Sequence, residues 1–313
     1  MDWSRYSLSN FRRAIKNPRL LLREPSVIYY HESMRVNRPF YRFISSGGED
    51  FVSQDWDNLI ILDACRFDWF KRLNRIEGEL SSKVSKASES WEFMQENFVG
   101  KQLYDTVYVT SNPHSPKIPD DTFHAVYNLL ETHWSEDLKT VPPQEMVKET
   151  VRIQNMYPNK RIISHFMQPH FPFIGDSRDK IKNRGIKQSA EREHPNPWLQ
   201  LNFFGGQSTE LILQGYHENH EIAIRNAAIL VNQLSGKTVI ASDHANLLGE
   251  WVGPIPKRMF GHPRNFRKKE LVTVPWLEIK TDNRRTISTE PPIESQNIDA
   301  DVVESRLHDL GYV

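Results

Sequence analysis

Short apolar runs alternate with longer amphipathic stretches along most of the chain. The apolar runs are predicted as strands at 58–63, 106–110, 161–166, 237–242 and 271–277. The amphipathic stretches are predicted as helices at 66–76, 90–98, 121–133, 143–156 and 216–235. Strands that alternate with helices are typical of crossover units. The pattern therefore predicts an α/β fold with a mainly parallel central sheet and helices on both faces.

The two ends of the chain and one internal segment depart from this alternation. Residues 1–50 form a basic N-terminal arm, and 51–280 hold the alternating pattern and are taken as one domain. Within that domain, 174–207 is rich in charge, Pro and Gly and is predicted as an inserted loop or cap. Residues 281–313 form a C-terminal extension, an exposed connection that ends in a helix near 300–309.

The composition is that of a globular protein. Hydrophobic residues make up 38% of the 313 positions and include eight Trp and sixteen Phe, which is enough for a substantial core. Forty basic residues balance forty acidic ones, so the overall charge gives no reason to expect a nucleic-acid partner. The single cysteine, Cys65, excludes an internal disulfide and is expected to pack in the core.

No apolar stretch approaches the length of a membrane span, and the N-terminus lacks the apolar core of a secretory signal. These features predict a cytoplasmic location. Residues 1–45 interleave basic and apolar side chains, a pattern that suits peripheral contact with an anionic membrane at its inner face. A solvated basic arm, or a helix packed on the domain, is the favoured interpretation.

Polar side chains close three of the predicted strands. Asp63 follows one run, His165 and then His170 follow the second, and Asp243-His244 follow the third. Taken singly, each has a structural explanation, because Asp often caps the next helix and His can be a buried core residue. Ligands gather at the carboxyl ends of parallel strands, so the three endings together predict a metal site. Mixed carboxylate and imidazole ligands favour one Zn²⁺ or Mn²⁺ over Ca²⁺ or Mg²⁺.

The segment KASESWEFMQENF places two serines where a helix is expected to begin. Backbone N–H groups at a helix N-terminus favour an anion, so this is a suitable place for a nucleophile. Ser88 is the better nucleophile and Ser90 the better N-cap. Helix capping by both serines is the alternative.

Four segments together resemble the alkaline phosphatase/sulfatase superfamily, in the branch of lipoteichoic acid synthases and phosphoethanolamine transferases. NLIILDACRFD is similar to the family's first strand, which ends in a metal-binding acid, and SDHANLLGE matches S-D-H-G-E-x-L-G-E. PHFPF resembles the segment whose His contacts the transferred group. FGHPRNF, followed by VPWLEI, resembles the later region with a further substrate-facing His or Lys. The segments occur in the family's order and span about 57–278, so the resemblance implies an alkaline-phosphatase-like fold.

The resemblance also implies roles for individual residues. The implied metal ligands are Asp63, Asp243, His244 and Ser88, and the implied contacts to the phosphate or sulfate group are His170 and His262. The transferases carry a Thr four residues before a Glu-Phe pair, the position of Ser88 here, which makes Ser88 the expected nucleophile. The Asp of a second metal site is not found beside His170, so one metal is expected.

Arg66 and His165 are further candidates for substrate binding. Arg66 lies three residues after Asp63 and could clamp an anionic oxygen, with an ion pair to Asp68 as the alternative. His165 could contact the metal or pack at the end of its strand, and packing is favoured.

The expected function is hydrolysis of a phosphoric or sulfuric ester through a Ser nucleophile and a covalent intermediate. The C-x-P-S-R motif of classical sulfatases is absent from this sequence, so no formylglycine is expected. The resembling synthases move a phospho-group onto a glycan or lipid acceptor, so transfer is the first alternative and an anionic, glycan-linked or lipid-linked ester the expected substrate. Ala245-Asn246 replace the Gly-Glu of the motif, and a non-catalytic binding protein is the second alternative.

Overall fold

The computed structural model of this chain describes residues 18–45, 47–181, 196–203, 207–293 and 300–309, and the statements below concern these residues. A central sheet carries helices on both faces, and a hairpin and a long helix pack together beside it. The α/β class predicted from the sequence is confirmed.

Seven strands form the central sheet, in the order β2-β9-β6-β1-β5-β3-β4. The bounds of these strands are β1 Asn58–Leu62, β2 Glu79–Val84, β3 Leu103–Thr110, β4 Phe123–Asn128, β5 Arg161–Phe166, β6 Thr238–Ala241 and β9 Thr273–Ile279. Neighbouring strands from β6 to β4 are parallel, whereas β9 runs antiparallel to both β6 and β2. The two remaining strands, β7 Leu247–Val252 and β8 Lys257–Gly261, form an antiparallel hairpin.

Eight α-helices lie in the described part of the chain. They are α1 Pro18–Ile44, α2 Phe67–Leu73, α3 Ser90–Asn97, α4 Pro143–Met156, α5 Pro197–Phe203, α6 Thr209–Val231, α7 Lys269–Val272 and α8 Ala300–Asp309. None of them combines the length and the apolar character that spanning a bilayer requires.

The central strand β1 is buried on both faces of the sheet. Its side chains alternate, so Ile60 and Leu62 join the core under α2, α4 and α6, while Leu59 and Ile61 join the core under α3. A strand covered on both faces is a continuous apolar run, because no side of it meets water. This burial explains the NLIIL sequence and fixes the position of the residue that follows it.

Each predicted strand overlaps an observed one, and α4 has its predicted bounds. The helix predicted at 121–133 is wrong, because residues Phe123–Asn128 form β4 and pair with β3. The strand β2 and the β7–β8 hairpin were not predicted. The insertion predicted at 174–207 contains α5, whose Trp198 packs edge-on against Tyr216 of α6; residues 182–195 and 204–206 lie outside the described residues.

The N-terminal arm is helical where it is described. Tyr30 and Met34 of α1 pack against the hairpin residues Val252 and Met259, in one apolar cluster. Asn37 adds two hydrogen bonds of 2.9 Å to the backbone of Ile255, which lies in the hairpin turn. The favoured alternative of a helix packed on the domain is therefore present for this part of the arm, while residues 1–17 lie outside the described residues.

The start of the C-terminal extension crosses the N-terminal ends of the strands. Arg284 pairs with Asp57 immediately before β1, with Nε–Oδ2 at 2.8 Å, and the amide of Ile293 donates to the carbonyl of His124 in β4. This segment lies at the edge of the sheet opposite to the strand ends that carry the candidate chemistry.

Candidate active site

The ends of β1 and β6 bring distant parts of the sequence together. The two strands are parallel neighbours, so Asp63 and Asp243, which follow them, meet at one edge of the sheet. Ala64 adopts a left-handed backbone conformation with φ of 61°, and its amide donates to Asp243 Oδ1 at 3.0 Å. The hydroxyl of Tyr216 donates to the carbonyl of Ala64 at 2.5 Å and holds this turn from the other side.

Three fully buried side chains form a potential metal site. One ligand atom from each of Asp63, Asp243 and His244 lies within 4.8 Å of the other two. His244 Nε2 is 3.6 Å from Asp63 Oδ1 and 3.5 Å from Asp243 Oδ2. Neither of these carboxylate oxygens has a hydrogen-bond partner among the described residues. Buried carboxylate oxygens without partners are costly, and a cation between them removes that cost.

The protonation of this cluster also fits a cation. His244 Nδ1 is 2.9 Å from the carbonyl of Ala245, which accepts its proton and leaves a lone pair on Nε2. Burial and the neighbouring Asp243 raise the pKa of Asp63 well above its usual value. Burial also opposes ionisation of Asp243, but His244 and His165 together with the Ala64 amide and the Ser90 hydroxyl outweigh it and lower the pKa of that carboxyl. Without a metal ion, two carboxylates this close together repel each other, so one of them tends to stay protonated. A metal ion between them would allow both to ionise.

Ser90 is the serine that reaches this cluster. It is the first residue of α3 and is fully buried. Its hydroxyl donates to Asp63 Oδ2 at 2.9 Å and lies 3.3 Å from His244 Nε2. The prediction of Ser90 as N-cap is wrong, because the carboxylate of Glu89 accepts the N–H groups of Trp91 and Glu92.

Ser88 is held away from the cluster by the same helix turn. Its hydroxyl donates to Glu92 Oε2 at 2.7 Å and accepts the amide of Phe266 at 3.1 Å. The structure thus brings Ser90, rather than Ser88, beside Asp63 and His244. Sequence reasoning weighed both serines, but the choice depends on which residue begins the helix.

The two histidines expected to contact the substrate lie beside the metal ligands. The ring of His262 is 4.6 Å from that of His244 and 4.9 Å from that of His170, measured between centroids. His170 Nδ1 is 2.6 Å from the carbonyl of Phe171, and burial lowers the pKa of His170 to about 3. Burial also lowers the pKa of His262 well below its usual value, so both rings are neutral at neutral pH.

Arg66 forms the ion pair that was the alternative to substrate binding. Its guanidinium contacts Asp68 at 2.8 Å, Glu250 at 2.6 Å and the carbonyl of Asn246 at 3.0 Å. The N–H groups of Arg66 are therefore already hydrogen-bonded to these three acceptors and are not available to an anionic substrate. Arg66 therefore connects α2 to the β7–β8 hairpin.

His165 packs at the end of β5, behind Asp243. Its Nδ1 is 2.8 Å from the hydroxyl of Tyr108, and its Nε2 is 3.8 Å from Asp243 Oδ2. Burial lowers the pKa of His165 to about 4. The ring thus packs next to Asp243 without a hydrogen bond to it.

Three asparagines complete the site, and none of them was predicted as a site residue from the sequence. Asn112 Nδ2 donates to Asp63 Oδ2 at 2.8 Å, and Asn246 Oδ1 is 2.7 Å from His262 Nδ1. Asn219 of α6 donates to the carbonyls of Pro169, His170 and Pro172 and so fixes the PHFPF loop. Asn112 lies two residues after the end of β3, so the rule that identified Asp63 applies to it as well. Asn246 is marked in the sequence only by standing where the resembled motif has a Glu, and Asn219 gives no comparable signal.

The chain is similar in structure to several solved proteins, but the comparisons of its sequence found no match. No family model and no curated protein matches the chain. Among solved structures, the C-terminal periplasmic domain of EptC from Escherichia coli, in complex with Zn, is 13% identical over 75% of this chain and 76% of that one, with a TM-score of 0.47. The corresponding domain of phosphoethanolamine transferase EptC from Campylobacter jejuni is 10% identical over 72% and 78%, with a TM-score of 0.44.

A protein in the alkaline phosphatase superfamily from Vibrio parahaemolyticus is 10% identical over 81% of this chain and 65% of that one, with a TM-score of 0.41. The chain is similar to these structures. The last of them is described as a member of the superfamily that the sequence segments resemble. The cytoplasmic location predicted from the sequence is contradicted, because both EptC structures are periplasmic domains. That prediction was based on missing apolar segments, which do not specify a compartment.

Proposed function

We propose that this chain is a metal-dependent enzyme that transfers the phospho-group of an anionic ester through a covalent intermediate on Ser90. The observation that carries the proposal is the position of the Ser90 hydroxyl, at the N-terminus of α3 and 2.9 Å from Asp63 Oδ2. Asp63, Asp243 and His244 would hold one Zn²⁺ or Mn²⁺. When bound, such an ion would neutralise the ester and lower the pKa of a nearby hydroxyl.

The side chains of the site suit an in-line displacement. Ser90 Oγ would form a bond to phosphorus while the bond to the leaving oxygen breaks, and its proton is directed at Asp63 Oδ2. A neutral His262 with its proton on Nδ1, held by Asn246, carries a lone pair on Nε2 that can take a proton from the second nucleophile.

The second nucleophile decides whether the outcome is hydrolysis or transfer. Water would give a hydrolase, the main expectation from the sequence, and an alcohol would give a transferase. Transfer agrees better with the description of one of the similar structures, the periplasmic domain of phosphoethanolamine transferase EptC from Campylobacter jejuni. Products formed from an aryl phosphodiester, with and without an added alcohol, would distinguish the two outcomes.

The first test compares the two serines. Ser90→Ala is expected to abolish turnover of aryl phosphoesters and to prevent the protein from acquiring the mass of a phospho-group. Ser88→Ala, two residues away, is expected to retain the covalent intermediate. A covalent intermediate in the Ser90→Ala protein would exclude Ser90 as the nucleophile.

The second test concerns the metal. Asp243→Asn is expected to lose bound Zn²⁺ or Mn²⁺, measured by elemental analysis, and to lose the thermal stabilisation that added metal gives the unaltered protein. Arg66→Lys keeps the charge at a neighbouring buried site and is the matched control. Unchanged metal content and turnover in the Asp243→Asn protein would contradict the proposal.

A further inference from the structure

A polar cleft of about 550 Å³ lies beside the candidate active site. Its walls come from the end of α1, the loop after β2, the helix α3 and the segment after β8. The charged residues that line it are Arg42, Lys86, Glu92, Glu96, Arg264 and Arg267. Four cations thus face two carboxylates among the lining residues. Two of these cations also have an acidic neighbour outside the lining, with Asp50 at 3.9 Å from Lys86 and Glu89 at 3.6 Å from Arg264.

One of the two carboxylates, Glu92, is engaged with the protein itself, whereas Glu96 is exposed. Glu92 accepts hydrogen bonds from Ser88 and from the amide of Asn265, and it lies 3.7 Å from Arg264. On the cationic side, no carboxylate of a described residue pairs with Arg42, which is exposed at the end of α1. The guanidinium of Arg264 is also accessible, with 56% of its side chain exposed. The cleft therefore offers donors and positive charge to an anion from solvent.

The cleft is connected to the active site through the start of α3. Arg264 Nε is 3.6 Å from Glu89, the residue immediately before Ser90, and 3.7 Å from Glu92, one turn further along the helix. Arg264 also follows His262 by two residues. A molecule whose ester lies at Ser90 could thus extend past Arg264 towards Arg42.

We propose that this cleft binds a second anionic group of the substrate, so that the substrate carries a phosphate or carboxylate besides the ester that reacts. This inference rests on the proposed function and specifies its substrate class. Arg264 would contact the connecting part of the molecule, and Arg42 and Lys86 would contact the distal anion. Charge-assisted hydrogen bonds of this kind contribute about 1.5–3 kcal/mol each, equivalent to roughly tenfold or more in affinity.

The test compares alkyl bisphosphates with the matching alkyl monophosphates as inhibitors of aryl phosphoester turnover by the metal-loaded protein. Propane, hexane and decane spacers cover a range of distances between the two anions. We expect the best bisphosphate to bind about tenfold more tightly than its monophosphate. In Arg42→Gln and Arg264→Gln the ratio of the two affinities should fall towards one.

Arg38→Gln is the matched control, because Arg38 is an exposed arginine one turn earlier on α1 that does not line the cleft. It should keep the ratio of the unaltered protein. Equal affinity for both compounds at every spacer length, or an unchanged ratio in both cleft variants, would overturn the inference. Calorimetry with the same compounds separates the two proposals: a bisphosphate preference without turnover contradicts the proposed function, and turnover without the preference contradicts the cleft.

Discussion

The contact between Asn246 and His262 links a departure from the family motif to the chemistry of the site. Asn246 stands where the motif has a Glu, and its side-chain oxygen is 2.7 Å from His262 Nδ1. The Asn246→Ala variant should lower kcat by about tenfold, because a partner that orients a site residue typically contributes that much. Metal content should stay the same, since Asn246 does not contact the three metal ligands through its side chain.

Asn246→Asp keeps an acceptor oxygen and is expected to recover most of the lost rate. The measurements are steady-state kinetics and elemental analysis of the two variants. An Asn246→Ala enzyme with full kcat would show that His262 needs no orienting partner.

His220 makes stability depend on pH. It is fully buried in α6, and burial lowers its pKa from 6.5 to about 3. In the unfolded chain it takes up a proton below roughly pH 6.5, whereas the folded protein does not. Its contribution to stability is therefore complete above pH 6.5 and is lost as the pH falls towards 3.

The test is to measure the free energy of unfolding of the unaltered protein and of the His220→Gln variant from pH 7 to 5. The difference between the two proteins should shrink on acidification, by at most about 1.4 kcal/mol per pH unit. Parallel pH profiles would show that His220 is protonated in the folded protein.

At the residue scale, the sequence predicts the side chains that follow apolar strands better than those that lie on helices or in loops. Asp63, Asp243 and His244 were predicted because parallel neighbouring strands end at one edge, and the structure places them together. The choice between Ser88 and Ser90 depends on which of them is the first residue of α3. The hydrophobic pattern does not fix a helix boundary to a single residue. Asn246 and Asn219 act through tertiary contacts that no local pattern records.

The start of α3 positions Ser90, the proposed nucleophile, and the helix has a Glu as its N-cap, which is uncommon. Glu89 caps this helix through hydrogen bonds of 3.2 and 3.0 Å from Trp91 and Glu92. Glu89→Ala should lower the free energy of unfolding by about 1 kcal/mol, the usual cost of a lost cap. Urea unfolding measures this, with Glu89→Asp as the control that keeps a capping carboxylate. An equal loss in both variants would mean that the cap is not what stabilises α3.

The elements that the sequence pattern did not predict are strands that form through tertiary contacts. Residues 123–128 contain Phe, Val and Tyr, which favour strands, but their spacing also fits one face of a helix. The edge of β3 offers a parallel partner, and the segment pairs with it as β4. The β7–β8 hairpin has few apolar residues in alternation, so its sequence does not indicate a half-buried strand pair. It is buried because α1 packs on it, which is a tertiary contact.

The C-terminal extension contributes to the stability of the whole domain from the edge opposite the active site. Asp57 is 1% exposed, and Arg284 reaches both of its oxygens, at 2.8 and 3.2 Å. Arg284→Ala should lower the free energy of unfolding by about 1 kcal/mol. Turnover should be unchanged, because the strand length separates this contact from Ser90.

Lys280→Ala serves as the control for that prediction. Its ion pair with Glu79 is exposed on both sides, at 68% and 71%, and pairs of this kind contribute close to nothing. Thermal or urea unfolding of both variants would measure the contrast. Equal stability of the two variants would mean that the extension does not hold the base of the sheet.

The position of β1 between β5 and β6 has a consequence for how the protein is made. During synthesis, β1 and β5 emerge long before β6, so one side of the central strand stays without its partner until residues 238–241 leave the ribosome. Asp243 and His244 follow β6 after one intervening residue, so Asp63 is synthesised well before the other two proposed metal ligands. A nascent chain shorter than this length holds Asp63 but has no place for the ion, and its apolar strand edge is the part that chaperones would need to protect.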